Sequence, residues 1–238
     1  MSDHEYPREV IPDSEDVAEG EEAPEPENIA ANEEAVRDRF RPGRAGASHG
    51  LGLGAAKAAP ANFGHLDPGK VVPAGLLQKA IEFFTAHANE FDNQSHISVL
   101  DYSMNSSKRR LHVIDMASGQ VQSLFVANGI GSEPVHNGKA TRFGNEPGSN
   151  MSSLGFVRTA ETYQGKHGLS LRLDGLSGAS NSNMRKRAVV VHGADYVHDS
   201  AVVQGRSNGC PAVSMSQINA LIGKIKGGSL MFFGQSAG

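Results

Sequence analysis

The chain has one cysteine, Cys210, in the run Gly205-Arg206-Ser207-Asn208-Gly209-Cys210-Pro211-Ala212. A lone cysteine forms no intrachain disulfide, and small polar neighbours suit a reactive thiol better than core filling. Eighteen positions upstream, the hydrophobic run Ala188-Val189-Val190-Val191 ends in His192-Gly193. A thiol attacks a carbonyl well only as the thiolate, and a neighbouring imidazole supplies that form by taking the proton. The expected chemistry is nucleophilic acyl transfer, with Cys210 as nucleophile and His192 as base. Backbone N–H groups of Asn208, Gly209 and Cys210 can converge on the oxyanion of a tetrahedral intermediate, because Gly209 permits a tight turn. Two other readings of these residues stay open at this point. Cys210 and His192 can be a small buried hydrophobe and a structural histidine. His192, His198 and Cys210 can also be set against a zinc site, but a fourth ligand and paired-cysteine spacing are lacking, so no metal is expected.

The elements that must position these groups follow from periodicity. Leu77, Ala80, Ile81, Phe84, Ala88 and Phe91 recur at helical spacing and predict an amphipathic helix over 75–90. Short strand-like runs follow at 96–104, 110–115, 120–127, 155–163 and 169–173, with a hairpin turn at Asp115-Met116-Ala117-Ser118-Gly119. Residues 187–192 form the strongest predicted strand, since Val189-Val190-Val191 is β-branched throughout. A helix over 214–225 is expected after Cys210, with Ser214 and Gln217 as a capping box and Val213, Ile218, Leu221, Ile222 and Ile225 as its buried stripe. Its N-terminus would favour negative charge at Cys210. Gly227-Gly228 ends it, and 229–233 reads as a closing strand. The body is thus expected to be mainly β with a few packed helices and no internal repeat.

Charge divides the chain. Residues 1–40 hold 14 Asp and Glu against 3 Lys and Arg, a net of −11, and the remainder is +7. Glu, Pro, Asn and Asp dominate to residue 34, and a Gly/Ala/Pro stretch runs from 45 to 64. Such composition cannot bury enough apolar surface to offset the entropy of ordering, so 1–70 is expected to be a disordered tail or linker and 71–238 the folded domain. The triplet Ser48-His49-Gly50 falls in the tail and is not counted as a site. The basic body favours an anionic polymer as partner. Scattered bases and the absence of Trp argue against nucleic acid. No apolar run approaches the ~20 residues of a membrane-spanning helix, and the acidic N-terminus is unlike a secretory signal peptide.

The segments 187–197, 205–214 and 225–230, with Ser152-Ser153-Leu154-Gly155 and 163–173 upstream, resemble the murein L,D-transpeptidase catalytic-domain family, a YkuD-like group, over about residues 76 to 234. The resemblance implies a β-sandwich or barrel with Cys210 as nucleophile and His192 as base. It also implies that Ser207 lies beside the nucleophile and that the Gly193 carbonyl orients the imidazole. Asn208 stands where the broader family has a second histidine, which leaves acid and base work to His192 alone. Ala212 stands where an arginine often follows the cysteine, so Arg206, Arg172 or Lys166 is left to contact a substrate carboxylate. Tyr163, His167 and His198 are weaker candidates at the substrate edge. The implied reaction uses no cofactor. It takes a peptidoglycan stem tetrapeptide through a thioester to a 3→3 cross-link, in the periplasm or cell wall, by a protein expected to be monomeric. Attack by water would make it an L,D-carboxypeptidase, and attack by a free D-amino acid an exchange enzyme. An antibacterial effector or lytic protein with this fold, and a non-catalytic wall-binding module, are the competing functions.

Overall fold

The computed structural model describes residues 63–236; the tail expected over 1–70 lies outside the described residues up to position 62. Residues 63–70 pack on the body. Leu66 is buried, and the Asp67 carboxylate accepts from the N–H groups of Val71 and Val72 at 2.9 Å each, fixing the entry to the first helix.

In chain order the elements are α1 (Ala74–Ala86), β1 (His96–Asp101), β2 (Leu111–Asp115), β3 (Val121–Leu124), β4 (Asn128–Gly129), β5 (Gly155–Gly165) and β6 (Gly168–Gly175). They continue with β7 (Val190–Ala194), β8 (Arg206–Ser207), β9 (Ala212–Ser214), α2 (Ile218–Ile225) and β10 (Leu230–Gly234). Eight strands form one sheet in the order β3-β2-β1-β10-β5-β6-β7-β9, and β4 pairs with β8 separately. Within this sheet the β1–β10 and β7–β9 pairs are parallel and the other five neighbouring pairs antiparallel. The mainly β architecture is the one expected.

Side-chain alternation on the central strands builds two cores, one on each face of the sheet. Ile97 and Val99 of β1, with Leu230 and Phe232 of β10, meet Leu76, Ala80 and Phe84 of α1. Leu100, Met231 and Phe233 point the other way, into a core closed by Ile218, Leu221, Ile222 and Ile225 of α2. Each of the buried Leu, Ile, Val, Phe and Met side chains contributes roughly 1.5–3 kcal/mol. A ladder of rings, Phe83 on Phe156 at 3.9 Å and Phe156 on Phe232 at 4.5 Å, ties α1 to β5 and β10.

The segment after Cys210 departs from expectation. It enters β9, and α2 begins only at Ile218. Val213, assigned to the helix stripe, is a strand residue facing the core. The capping box does not form, because the Ser214 hydroxyl donates to Asp199 at 2.9 Å and Gln217 caps α2 without a side-chain bond. The strand predicted from 187 starts at Val190, because Ala188 adopts a left-handed φ of 51° that no strand accommodates.

Candidate active site

The pairing of β7 with β9 sets the geometry. His192 lies opposite Ala212 in a parallel register, and β6 pairs antiparallel on the other side with Ser170 opposite His192 and Arg172 opposite Val190. Strand side chains alternate, so His192, Val190, Ala212, Ser170 and Arg172 share one face of the sheet. Extending the ladder by two residues brings Cys210 beside Val190, and the Val190 N–H donates to Cys210 Sγ at 3.4 Å. Strand spacing and rise then put the Cα atoms of Cys210 and His192 about 8 Å apart diagonally, a span that a thiol and an imidazole can close. The two groups are not hydrogen-bonded to each other. Sγ is turned toward the Ala188 carbonyl at 3.8 Å. The imidazole is held by its own strand, with Nδ1 2.9 Å from the Gly193 carbonyl oxygen. Only an N–H at Nδ1 makes that contact favourable, which puts the ring's lone pair on Nε2.

The loop before Cys210 is shaped by Ser207. Its hydroxyl donates to the Cys210 carbonyl at 2.7 Å and accepts from the Gly209 N–H at 3.1 Å. The Gly209 N–H is therefore engaged, and the oxyanion role expected of it narrows to the backbone of Asn208 and Cys210. Gly209 has φ 122°, and a Cβ there would meet the Met151 carbonyl at 3.0 Å and Arg187 Nη2 at 3.2 Å. Across the loop, a Cβ on Gly129 would lie 2.9 Å from Gly209 Cα, so β4 packs directly on the backbone that presents the thiol.

Both side chains rest uncharged at neutral pH. Burial pushes the Cys210 thiol above its ordinary value, against smaller pulls from the Val190 N–H and the Arg187 charge, although the residue keeps some surface in contact with solvent. Burial lowers His192 to about 4; the Gly193 carbonyl opposes this, while His167 and Lys166 add to it. The helix dipole expected at Cys210 has no part in this, since β9 separates the thiol from α2 and such fields fade within one turn.

A pH dependence of stability follows. The unfolded chain protonates His192 near 6.5 and the folded chain near 4. Stability from the neutral buried ring is therefore complete above pH 6.5 and is lost as pH falls toward 4, by about 3 kcal/mol. Denaturant melts at pH 7 and pH 4.5 should show wild type losing about 2–3 kcal/mol more than His192→Phe on acidification. Equal losses would reject the assignment.

The remaining sequence candidates divide. His167, exposed on the β5–β6 turn, stacks on His192 with ring centroids 4.3 Å apart and planes 26° apart. Lys166 is beside it on the same turn. Tyr163, opposite Ser170, is on the His192 face, with the Arg172 guanidinium 4.4 Å over its ring. Arg172 also pairs with Glu161 at 3.4 Å. Arg206 is turned toward the β4 loop and donates to the Glu133 carbonyl at 3.0 Å. His198 is exposed, and its backbone N–H is held by Gln204 at 2.6 Å. Among the described residues no group of three His, Cys, Asp or Glu is placed to hold a metal ion.

Sequence reasoning missed the support behind the thiol. Buried Arg110 reaches Asn128 Oδ1 at 2.7 Å and the Val126 carbonyl at 2.9 Å, and Asn128 Nδ2 donates to buried Glu133 at 3.0 Å. This relay holds β4, which pairs with β8 and braces the loop before Cys210. Arg187 was missed as well, although it opens the strand motif.

A β-rich domain presenting a cysteine and a histidine on one sheet face defines a candidate thiol acyl-transfer site. Residues 70–233 match the sequence-family model described as "L,D-transpeptidase catalytic domain", and the chain belongs to that family. A search of curated proteins found no match. Among solved structures, the chain is similar to the helical cell shape determining protein Pgp2 from Campylobacter jejuni at 10% identity, covering 62% of this chain and 50% of that one, with a TM-score of 0.38. It is similar to the LD transpeptidase LdtMt1, solved in complex with imipenem, at 14% identity, 58% of each chain and TM-score 0.36. A third is the L,D-transpeptidase (residues 123–326) from Xylanimonas cellulosilytica, at 16% identity, 66% of this chain, 68% of that one and TM-score 0.33. The match thus spans only half of the Pgp2 chain. No described helix is long and apolar enough to cross a membrane.

Proposed function

We propose that this chain is a cysteine-dependent L,D-transpeptidase acting on peptidoglycan stem tetrapeptides in the periplasm or cell wall. The observation that carries the reading is the β7–β9 register, which puts His192 and Cys210 on one face of a domain of this family. His192 Nε2 takes the thiol proton, and Sγ attacks the carbonyl of the third stem residue. The oxyanion is met by the backbone N–H groups of Asn208 and Cys210. The peptide C–N bond breaks, D-Ala leaves with the proton carried by His192, and a thioester remains. An amine of a neighbouring stem then attacks, the C–S bond breaks, the new amide forms a 3→3 cross-link, and the amine proton returns to sulfur through His192. Arg172 and Tyr163, on the same face, are proposed to line the donor peptide.

The test is incubation with disaccharide tetrapeptide, read by mass spectrometry. Wild type releases D-Ala and yields cross-linked dimer, and Cys210→Ala yields neither. Tripeptide without dimer makes the chain an L,D-carboxypeptidase. Turnover surviving in Cys210→Ala overturns the reading, and sacculus binding without any turnover in wild type makes the domain a wall-binding module.

A further inference from the structure

We propose that Arg187 is the fixed cation of the nucleophile, a positioning residue whose guanidinium is held beside the Cys210 loop to balance the thiolate. This rests on Cys210 being the nucleophile. The guanidinium is half-buried, and all four of its terminal N–H bonds go to neutral acceptors. Nη1 donates to the Gly144 carbonyl at 3.0 Å and Ser153 Oγ at 2.8 Å; Nη2 donates to the Met151 carbonyl at 2.6 Å and Ser149 Oγ at 3.4 Å. No carboxylate of the described residues pairs with it. A half-buried charge without a counter-ion is costly, and this one is fastened in place rather than released to solvent.

Its location explains the cost. The residue that precedes the nucleophile, Gly209, lies so close that a Cβ there would be 3.2 Å from Nη2. The sulfur itself is cradled by the backbone that follows Arg187, with Ala188 O at 3.8 Å and Val190 N–H at 3.4 Å. Ala188 bridges the two in a left-handed conformation, φ 51°, which costs a non-glycine residue about 1–2 kcal/mol and bends the chain from the guanidinium onto the sulfur. The other titratable groups coupled to Cys210 carry no charge at neutral pH. Burial raises Tyr102 to about 12 and pushes Tyr196 higher still. His192, on the same sheet face, is neutral above about 4, and Glu146 acts on Arg187 without pairing to it. When sulfur ionises, the guanidinium is the opposite charge already in position, with no reorganisation required.

The experiment is the pH profile of Cys210 alkylation by iodoacetamide in the full chain, with thermal melts to establish folding. Arg187→Gln removes the charge, and at pH 7 it should slow alkylation about tenfold, which is one unit in the thiol midpoint. Arg187→Lys keeps the charge while surrendering most of the fork, and should stay within about threefold of wild type. Equal shifts in both variants reduce Arg187 to a loop scaffold, and no shift in Arg187→Gln removes it from the nucleophile; either overturns the proposal. Should the Gln variant fail to fold, the Lys variant decides, since a midpoint raised by a full unit despite a retained charge is equally fatal. Alkylation needs no peptidoglycan. A wild type without transpeptidase activity whose Gln variant still shows the shift would fault the reaction proposed above and leave this inference standing.

Discussion

Replacing His192 with glutamine should lower the rate of Cys210 acylation at pH 7 by about 10²–10⁴-fold. The size follows from the resting state. Burial raises the thiol and lowers the imidazole, so neither is ionised and no preformed ion pair supplies thiolate. The proton must move as the carbonyl is attacked, and the Nε2 lone pair, freed by the Nδ1 contact to Gly193, is the acceptor. Glutamine has a similar reach and no basic nitrogen. Its defect should narrow as pH rises, because solvent then generates the thiolate that the ring no longer does. Wild type should hold its rate down to the acid range, since the ring remains a free base until about 4. Mass spectrometry of the thioester with stem peptide, or of a carbapenem adduct at Cys210, gives the rate. A glutamine variant within about threefold of wild type at pH 7 would remove His192 from the reaction.

The second large effect is on folding. Asn128→Leu should destabilise the domain by about 3–5 kcal/mol. Asn128 is fully buried and stands between two charged side chains. Its carbonyl accepts from Arg110 Nη2, and its amide donates to Glu133. Leucine shares its branched skeleton but leaves both partners with unmet bonds in a fully buried site, and unmet charged groups are the costliest kind. Arg110 is already lowered to about 10 by burial, a sign of how little solvation it retains. The readouts are a denaturant midpoint and a melting temperature at least about 6–10 °C lower. Acylation should fall as well, because β4 braces the loop that carries the thiol. A loss below about 1 kcal/mol would show that the relay is dispensable.

Much of this was legible in the sequence, and the omissions have physical causes. Strand alternation and β-branched runs are local signals, so the central strands and α1 were readable from Ile97, Val99 and the periodicity from Leu77 to Phe84, although α1 stops at Ala86, short of Ala88 and Phe91. Cys210 and His192 stood out because a single thiol and a strand-ending imidazole are rare residue types in revealing settings. The segment after Cys210 misled because Val213 suits a helix stripe and a strand equally, and pairing with β7 decided the matter. Ser214 looked like a cap, but Asp199 offered its hydroxyl a charged acceptor from a distant loop. Gly209 was read as an oxyanion donor, since nothing in the chain order shows that the Ser207 hydroxyl turns back to take its N–H. Arg110, Asn128, Glu133 and Arg187 were invisible as a group. Each is an ordinary polar residue in sequence, and only tertiary folding brings them behind the Cys210 loop.

The lateral pairing of β7 with β9 has one more implication, for what this fold can become. Cys210 and His192 are brought to one sheet face by neighbouring strands, not by the stretch that joins them along the chain. Insertions among the exposed residues 200–203 therefore leave the placement of Cys210 and His192 undisturbed. A single residue inserted between Cys210 and Ala212 does the opposite, turning the sulfur to the far side of the sheet. Divergence in this lineage has a free region and a forbidden one, separated by fewer than ten positions.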